Sequence, residues 1–219
     1  MNSPAAALSP SITSMIRMDH QHVLMSFHRF KPDMSASTKQ GLVNTVLLAL
    51  EIHAQLEEEI FYPAVQAVAS DASILDKSVP EHDEMRALIA VLRDKPPQDA
   101  DFDATFFELI RKVMHHVADE ETVLLPFAEV ALADQLKDLG AQMTRRRLQL
   151  LAPHLGELTV NTVKAMSPAK MLMVGAGVLL GGYAAKRALE RRQPPSGIDM
   201  QRVPAQAMQV RFLPVRLAS

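Results

Sequence analysis

Residues 53–63 read HAQLEEEIFYP and residues 116–126 read HVADEETVLLP. In each stretch a glutamate follows a histidine by four positions and a proline follows it by ten: His53, Glu57 and Pro63, then His116, Glu120 and Pro126. Residues four apart stand on one face of an α-helix, about one turn along its axis. Each stretch therefore presents an imidazole and a carboxylate side by side. A single pair of this kind is commonplace as a solvated contact on a helix surface. Its repetition, with the same proline behind it, is what carries information.

The repeat extends outward. Asp19-His20 precedes the first unit and Glu81-His82 the second; His20 to His53 is 33 residues and His82 to His116 is 34. The chain thus reads as two helical hairpins of one design. Ser11 or Ser14 is suited to cap a first helix that ends near Lys31-Pro32, and Ser35 or Ser37 to cap a second through Glu57. A third helix is predicted from about Ile74 or Pro80 to Arg93, a fourth from about Phe102 to Leu125, and a fifth from about Leu132 to Leu151. Pro63 and Pro126 fall inside helical patterns, where each is expected to kink or end the helix.

Composition agrees. Hydrophobic residues make up 48% of the 219 and glycine only 8, with Leu, Ala, Met, Glu and Gln at helical spacing and few β-branched runs. The expected class is all-α. With no cysteine, disulfides, zinc–thiolate sites, iron–sulfur clusters and thiol chemistry are excluded. From Lys164 onward stand nine basic and two acidic residues, leaving 14 basic and 23 acidic before it. An acidic first part and a basic tail suggest different jobs. The start, 1–16, is Ser/Pro/Ala-rich without a basic stretch leading into an apolar run, so no secretory signal is read and the cytoplasm is the expected compartment.

Two packed hairpins would offer four imidazoles and two carboxylates: His20, His53, Glu57, His82, His116 and Glu120. That donor set suits a pair of first-row metal ions with bridging carboxylates and open positions, iron ahead of manganese, and differs from a structural zinc site. His115 competes with His116 because it has Asp119 four residues on, but alignment of the repeat selects His116. Glu58, Glu59 and Glu121 are expected on the wetter face, and His22, His28 and His154 at the surface or beside the site. Asp19 and Glu81 are candidates to support it, although adjacent helical side chains diverge by about 100°. Tyr62 is expected to be a core aromatic.

At these residues the sequence resembles the hemerythrin-like family, or HHE cation-binding domain. The stretches that carry the likeness are DHQHVLMSFHRF, HAQLEEEIFYPAV, EHDEMRAL and HHVADEETVLLPFAEV. The resemblance implies an up-down-up-down four-helix bundle around a non-haem di-iron centre, with those six residues as ligands. Oxygen-carrying hemerythrins have a further histidine on the third helix, a turn after the first; here that position is Arg86, which does not ligate. The fourth-helix carboxylate is a Glu four after its His. The site is the six-ligand version, nearer to HHE proteins linked to iron handling, to sensing of oxygen or nitric oxide, or to repair of iron centres. The cysteine-bearing N-terminal segment of many repair proteins is missing.

The expected organisation is a bundle over 11–130, an additional helix over 131–160, a Gly-rich apolar and basic helical segment over 165–192 and a flexible tail over 193–219. Residues 171–185 hold no charge and four of the eight glycines. At ~1.5 Å per residue such a helix is roughly 22 Å long, against the ~30 Å of a bilayer core. Docking or self-association, attachment to a membrane surface, and an unstructured tail all fit. No aromatic interleaving accompanies the basic residues, so nucleic acid is not an expected partner. Functionally, the resemblance implies a di-iron protein that binds oxygen, nitric oxide or iron itself. The other readings are a helical interaction or membrane-tethered protein whose metal is structural, and an oxygen-activating enzyme.

Overall fold

The computed structural model describes residues 9–165; the predicted segment 171–185 and the tail lie outside them. The described chain is all-α: a four-helix bundle with additional helix behind it. Helix α1 (Ile12–Arg29) starts at Ser11, whose hydroxyl accepts from the Ser14 N–H at 3.1 Å. Helix α2 (Ala36–Leu56) starts at Ser35, which accepts from the Thr38 N–H at 3.3 Å. These are side-chain caps of the ordinary kind, satisfying an amide that the first turn leaves without a partner.

The prolines do not simply kink the helices. The residues before them, Glu57–Phe61 and Glu120–Leu124, form π turns that lead into α3 (Tyr62–Val68) and, in the second hairpin, α6 (Leu125–Ala131). Proline has no N–H, and in a helix its ring strikes the carbonyl four residues back. Widening the turn before it makes room: the Tyr62 N–H bonds Glu57 and the Leu125 N–H bonds Glu120. The two glutamates of the repeat thus open the two π turns.

A short 3₁₀ turn, Ala72–Leu75, leads to α4 (Ser78–Asp94), and α5 (Phe102–Asp119) completes the bundle. The predicted additional helix over 131–160 is instead two: α7 (Leu136–Leu151) and α8 (Leu155–Lys164), separated by the 3₁₀ turn Ala152–His154 around Pro153. Helix α7 packs on α1 and α2, and α8 lies along α2. None of the described helices is long and apolar enough to cross a membrane.

Two apolar cores flank one polar layer. Val23, Phe27, Leu50, Met85, Ile89, Phe106, Leu109 and Val113 belong to the first; Ile16, Leu56, Phe61, Leu124, Leu125 and Met143 belong to the second. Between them in sequence, on α1, α2, α4 and α5, fall His20, His53, His82 and His116, all buried. Burying each large apolar side chain stabilises by roughly 1.5–3 kcal/mol, so the two cores hold the polar layer in place.

Helix α7 approaches the start of the chain closely. A Cβ at Gly140 would stand 2.1 Å from the Pro10 carbonyl oxygen and 3.1 Å from the Ile12 nitrogen. Both are backbone atoms, which do not swing aside. Gly140→Ala is expected to cost about 1–3 kcal/mol, as overpacking does. Circular dichroism melting should register it as a fall of several degrees; an unchanged midpoint would contradict this packing.

Candidate metal centre

The buried layer is polar by composition. His20, His53, Glu57, His82, His116 and Glu120 are all less than a tenth exposed, Glu57 completely buried. The structure brings the six together. Nε2 of His53 and of His82 lie 3.3 and 3.4 Å from Glu57 Oε2. Nε2 of His20 and of His116 lie 3.3 and 3.6 Å from Glu120 Oε2. His82 and His116 approach Nε2 to Nε2 at 3.1 Å. Two overlapping donor groups result: His20, His53, Glu57 and Glu120, and then Glu57, His82 and His116, the ligand atoms of each within 4.8 Å of one another. Glu57 is common to both.

Each imidazole is aimed from behind. His53 Nδ1 meets Asp19 at 3.4 Å, His82 Nδ1 meets Glu58 at 2.8 Å, His116 Nδ1 meets Glu81 at 2.8 Å and His20 Nδ1 meets Glu121 at 3.0 Å. An ionised carboxylate only accepts hydrogen bonds, so Nδ1 carries the proton and the Nε2 lone pair faces inward. The four contacts form a closed circuit. Each bundle helix gives a carboxylate to a histidine of the next: α1 to α2, the π turn after α2 to α4, α4 to α5, and the π turn after α5 back to α1. The carboxylate is always the sequence neighbour of a site residue, and the turn of about 100° per residue points it at the adjoining helix.

Some of these contacts depart from the sequence expectation. Glu58 and Glu121, expected on the wetter face, are half-buried and orient His82 and His20. Asp19 and Glu81 do support the site, but through His53 and His116 rather than their own neighbours. Glu59 is exposed, as are His22, His28 and His115. His154 pairs with Glu157 outside the site. Arg86 turns away from the six to bond Glu58 at 2.6 Å and Asp83 at 2.9 Å.

Tyr62 is a core aromatic, as expected, packed in the second core, but its hydroxyl also reaches the site. Its hydroxyl donates to Glu120 Oε1 at 2.9 Å and lies 3.3 Å from both Glu57 Oε2 and His82 Nε2. Its ring stacks on His82, with centroids 5.6 Å apart. The repeat did contain a signal: the position matching Tyr62 is Leu125, an apolar residue buried in the second core. A polar residue that breaks an otherwise matched repeat marks a local asymmetry.

The donor atoms fit metal ions. His20 Nε2, His53 Nε2, Glu57 Oε1 and Glu120 Oε2 are buried and make no hydrogen bond. Leaving such an atom unpaired costs about 1–3 kcal/mol, a penalty that coordination to a cation removes. Comparison with known proteins agrees. The hemerythrin HHE cation binding domain matches residues 11–128, more than half of the chain.

The chain belongs to the hemerythrin HHE cation-binding domain family.

A solved HHE cation-binding domain-containing protein from Mycobacterium kansasii shares the fold, with a TM-score of 0.58 over 71% of this chain and 99% of that one, at 17% identity. A DNA nickase from Nostoc sp. is 28% identical over 114 residues. That match takes in 52% of this chain but only 32% of the nickase, so the chain spans about a third of that relative.

Electrostatics separates the two glutamates of this HHE site. Burial raises Glu57, and the charge of Glu120 beside it raises it further, to about 7. Burial would also raise Glu120, but the close approach of His20 and the other imidazoles around it hold it below the ordinary carboxylate range. Burial lowers His82, outweighing Glu58. Without metal, then, Glu57 is the carboxylate that keeps a proton. A folded value raised above the unfolded one stabilises the fold at low pH and loses that contribution as pH rises toward about 7. Glu57→Gln is therefore expected to melt higher than the wild type at pH 8 when both are metal-free, with the difference vanishing near pH 4. Scanning calorimetry at the two values checks it; a variant less stable at pH 8 would contradict the raised value.

Proposed function

We propose that this HHE protein holds two iron ions between its hairpins and binds a small diatomic ligand, oxygen or nitric oxide, next to them. In this reading His20 and His53, with Glu57 and Glu120, hold one ion; His82 and His116, with the shared Glu57, hold the other. An iron pair, when bound, supplies reversible redox chemistry and open positions for a small ligand. The chain supplies the rest. Asp19, Glu58, Glu81 and Glu121 fix the tautomer and direction of each imidazole. Tyr62 holds Glu120 from the side of the second core.

The observation that carries the small-ligand reading is a cavity of about 20 Å³ beside the histidines. The four histidines line it on one side and Val23, Leu50, Met85, Ile89, Val113 and Val117 on the other, with Asp19, Glu51 and Arg86 also among its lining residues. Holding one water takes roughly 10–15 Å³, so a molecule of diatomic size fits this cavity. The apolar wall favours an uncharged guest.

Ferrous protein prepared without air is expected to change its visible absorption on exposure to oxygen or nitric oxide. Replacing His53 and His116 together by alanine should abolish that response, because each ion then loses an imidazole. A spectrum indifferent to both gases, in protein that unfolds when its metal is removed, would sink this reading in favour of a structural metal.

A further inference from the structure

The HHE match ends at residue 128, while helix α7 runs from Leu136 to Leu151. One side chain of α7 nevertheless reaches the carboxylate circuit. Arg147 takes Asp19 with both terminal nitrogens, Nη1 to Oδ1 at 2.8 Å and Nη2 to Oδ2. The same Asp19 Oδ2 faces His53 Nδ1. Arg147, Asp19 and His53 thus form a line from the added helix to a donor of the first metal group. Asp19 is held anionic in this setting: burial would raise its carboxyl, but His53 and Arg147 bring it below its usual range.

We infer that α7 is a working part of the metal centre and that Arg147 is a positioning residue for His53, acting through Asp19. The proposal rests on the metal reading above and goes beyond it, because it assigns a role to a helix outside the family region. A planar guanidinium binding a carboxylate through both oxygens fixes that carboxylate in direction as well as in charge. Fixing Asp19 fixes the ring of His53 behind Nε2. The other three orienting carboxylates lie within the bundle hairpins. Of these, Glu58 has its own arginine, Arg86, from helix α4. In this circuit the arginine from outside the bundle falls on His53.

The neighbouring residue provides the control. Arg146 also ties α7 to the bundle by a two-pronged ion pair, with Glu59 at 2.6 and 2.9 Å. Its partner touches no site residue among its described hydrogen bonds: Glu59 bonds only Gln55 and Arg146. The Arg147 pair is the more buried of the two, with side chains 25% and 21% exposed for Arg147 and Asp19, against 34% and 36% for Arg146 and Glu59. If either pair serves only to dock the helix, the two should be equivalent in their effects.

The test loads the full chain with ferrous iron without air and measures affinity by competition with a chelator, beside the melting midpoint of the metal-free protein. Arg147→Gln is expected to weaken iron binding by about ten-fold, the low end of what outer partners of metal ligands contribute. Arg147→Lys, which keeps the charge and loses the fork, should recover part of it. Arg146→Gln should leave the affinity within about two-fold of the wild type, even though it too removes an ion pair that ties α7 to the bundle. Equal affinity of Arg147→Gln and wild type, or an equal loss in Arg146→Gln, would overturn the inference. Wild-type protein that takes up no iron would instead overturn the metal reading beneath it.

Discussion

The structure depends on one buried constraint: six polar side chains meet in a layer between two apolar cores, and four of their atoms make no hydrogen bond. Histidines and glutamates are poor core residues, because an unpaired donor or acceptor away from water is costly and an unpaired charge more so. The protein meets most of that demand internally. Each Nδ1 has a carboxylate, and Tyr62 takes one oxygen of Glu120. What is left over faces a common point and is made of the atoms a cation coordinates. A site of this kind trades stability of the metal-free fold for readiness to bind.

Geometry explains how so few residues build it. A site residue and the acid beside it diverge by about 100° on a helix, so they serve neighbouring helices rather than one another. Repeating this rule four times around the bundle closes the circuit that runs from α1 through α2, α4 and α5 and back. The π turns Glu57–Phe61 and Glu120–Leu124 belong to the same design. The proline that ends each repeat enforces the wide turn, and that turn opens on the glutamate and carries, one residue later, Glu58 or Glu121.

The two-hairpin plan and the meeting of six residues were legible because the sequence states them twice. The period between His20 and His53 recurs between His82 and His116, and a helical period places each His and Glu on one face. Other features were not, for identifiable reasons. Which histidine Asp19 serves depends on how α1 packs against α2, and no spacing within one helix encodes that. The fifth helix was read to Leu151, where α7 ends, but the span 131–160 was taken as one additional helix, and the structure divides it at the 3₁₀ turn around Pro153. Tyr62 was read by its type, aromatic beside a proline, although its mismatch with Leu125 in the repeat pointed to a role of its own. Arg147 stands in the run Arg145-Arg146-Arg147, where only tertiary contact distinguishes it from Arg146.

The most direct measurement is anomalous diffraction at the iron edge from crystals of iron-loaded protein. The account requires two peaks in the buried layer, one among His20, His53, Glu57 and Glu120 and one among Glu57, His82 and His116. No peak there, or iron bound only at surface carboxylates, would contradict it.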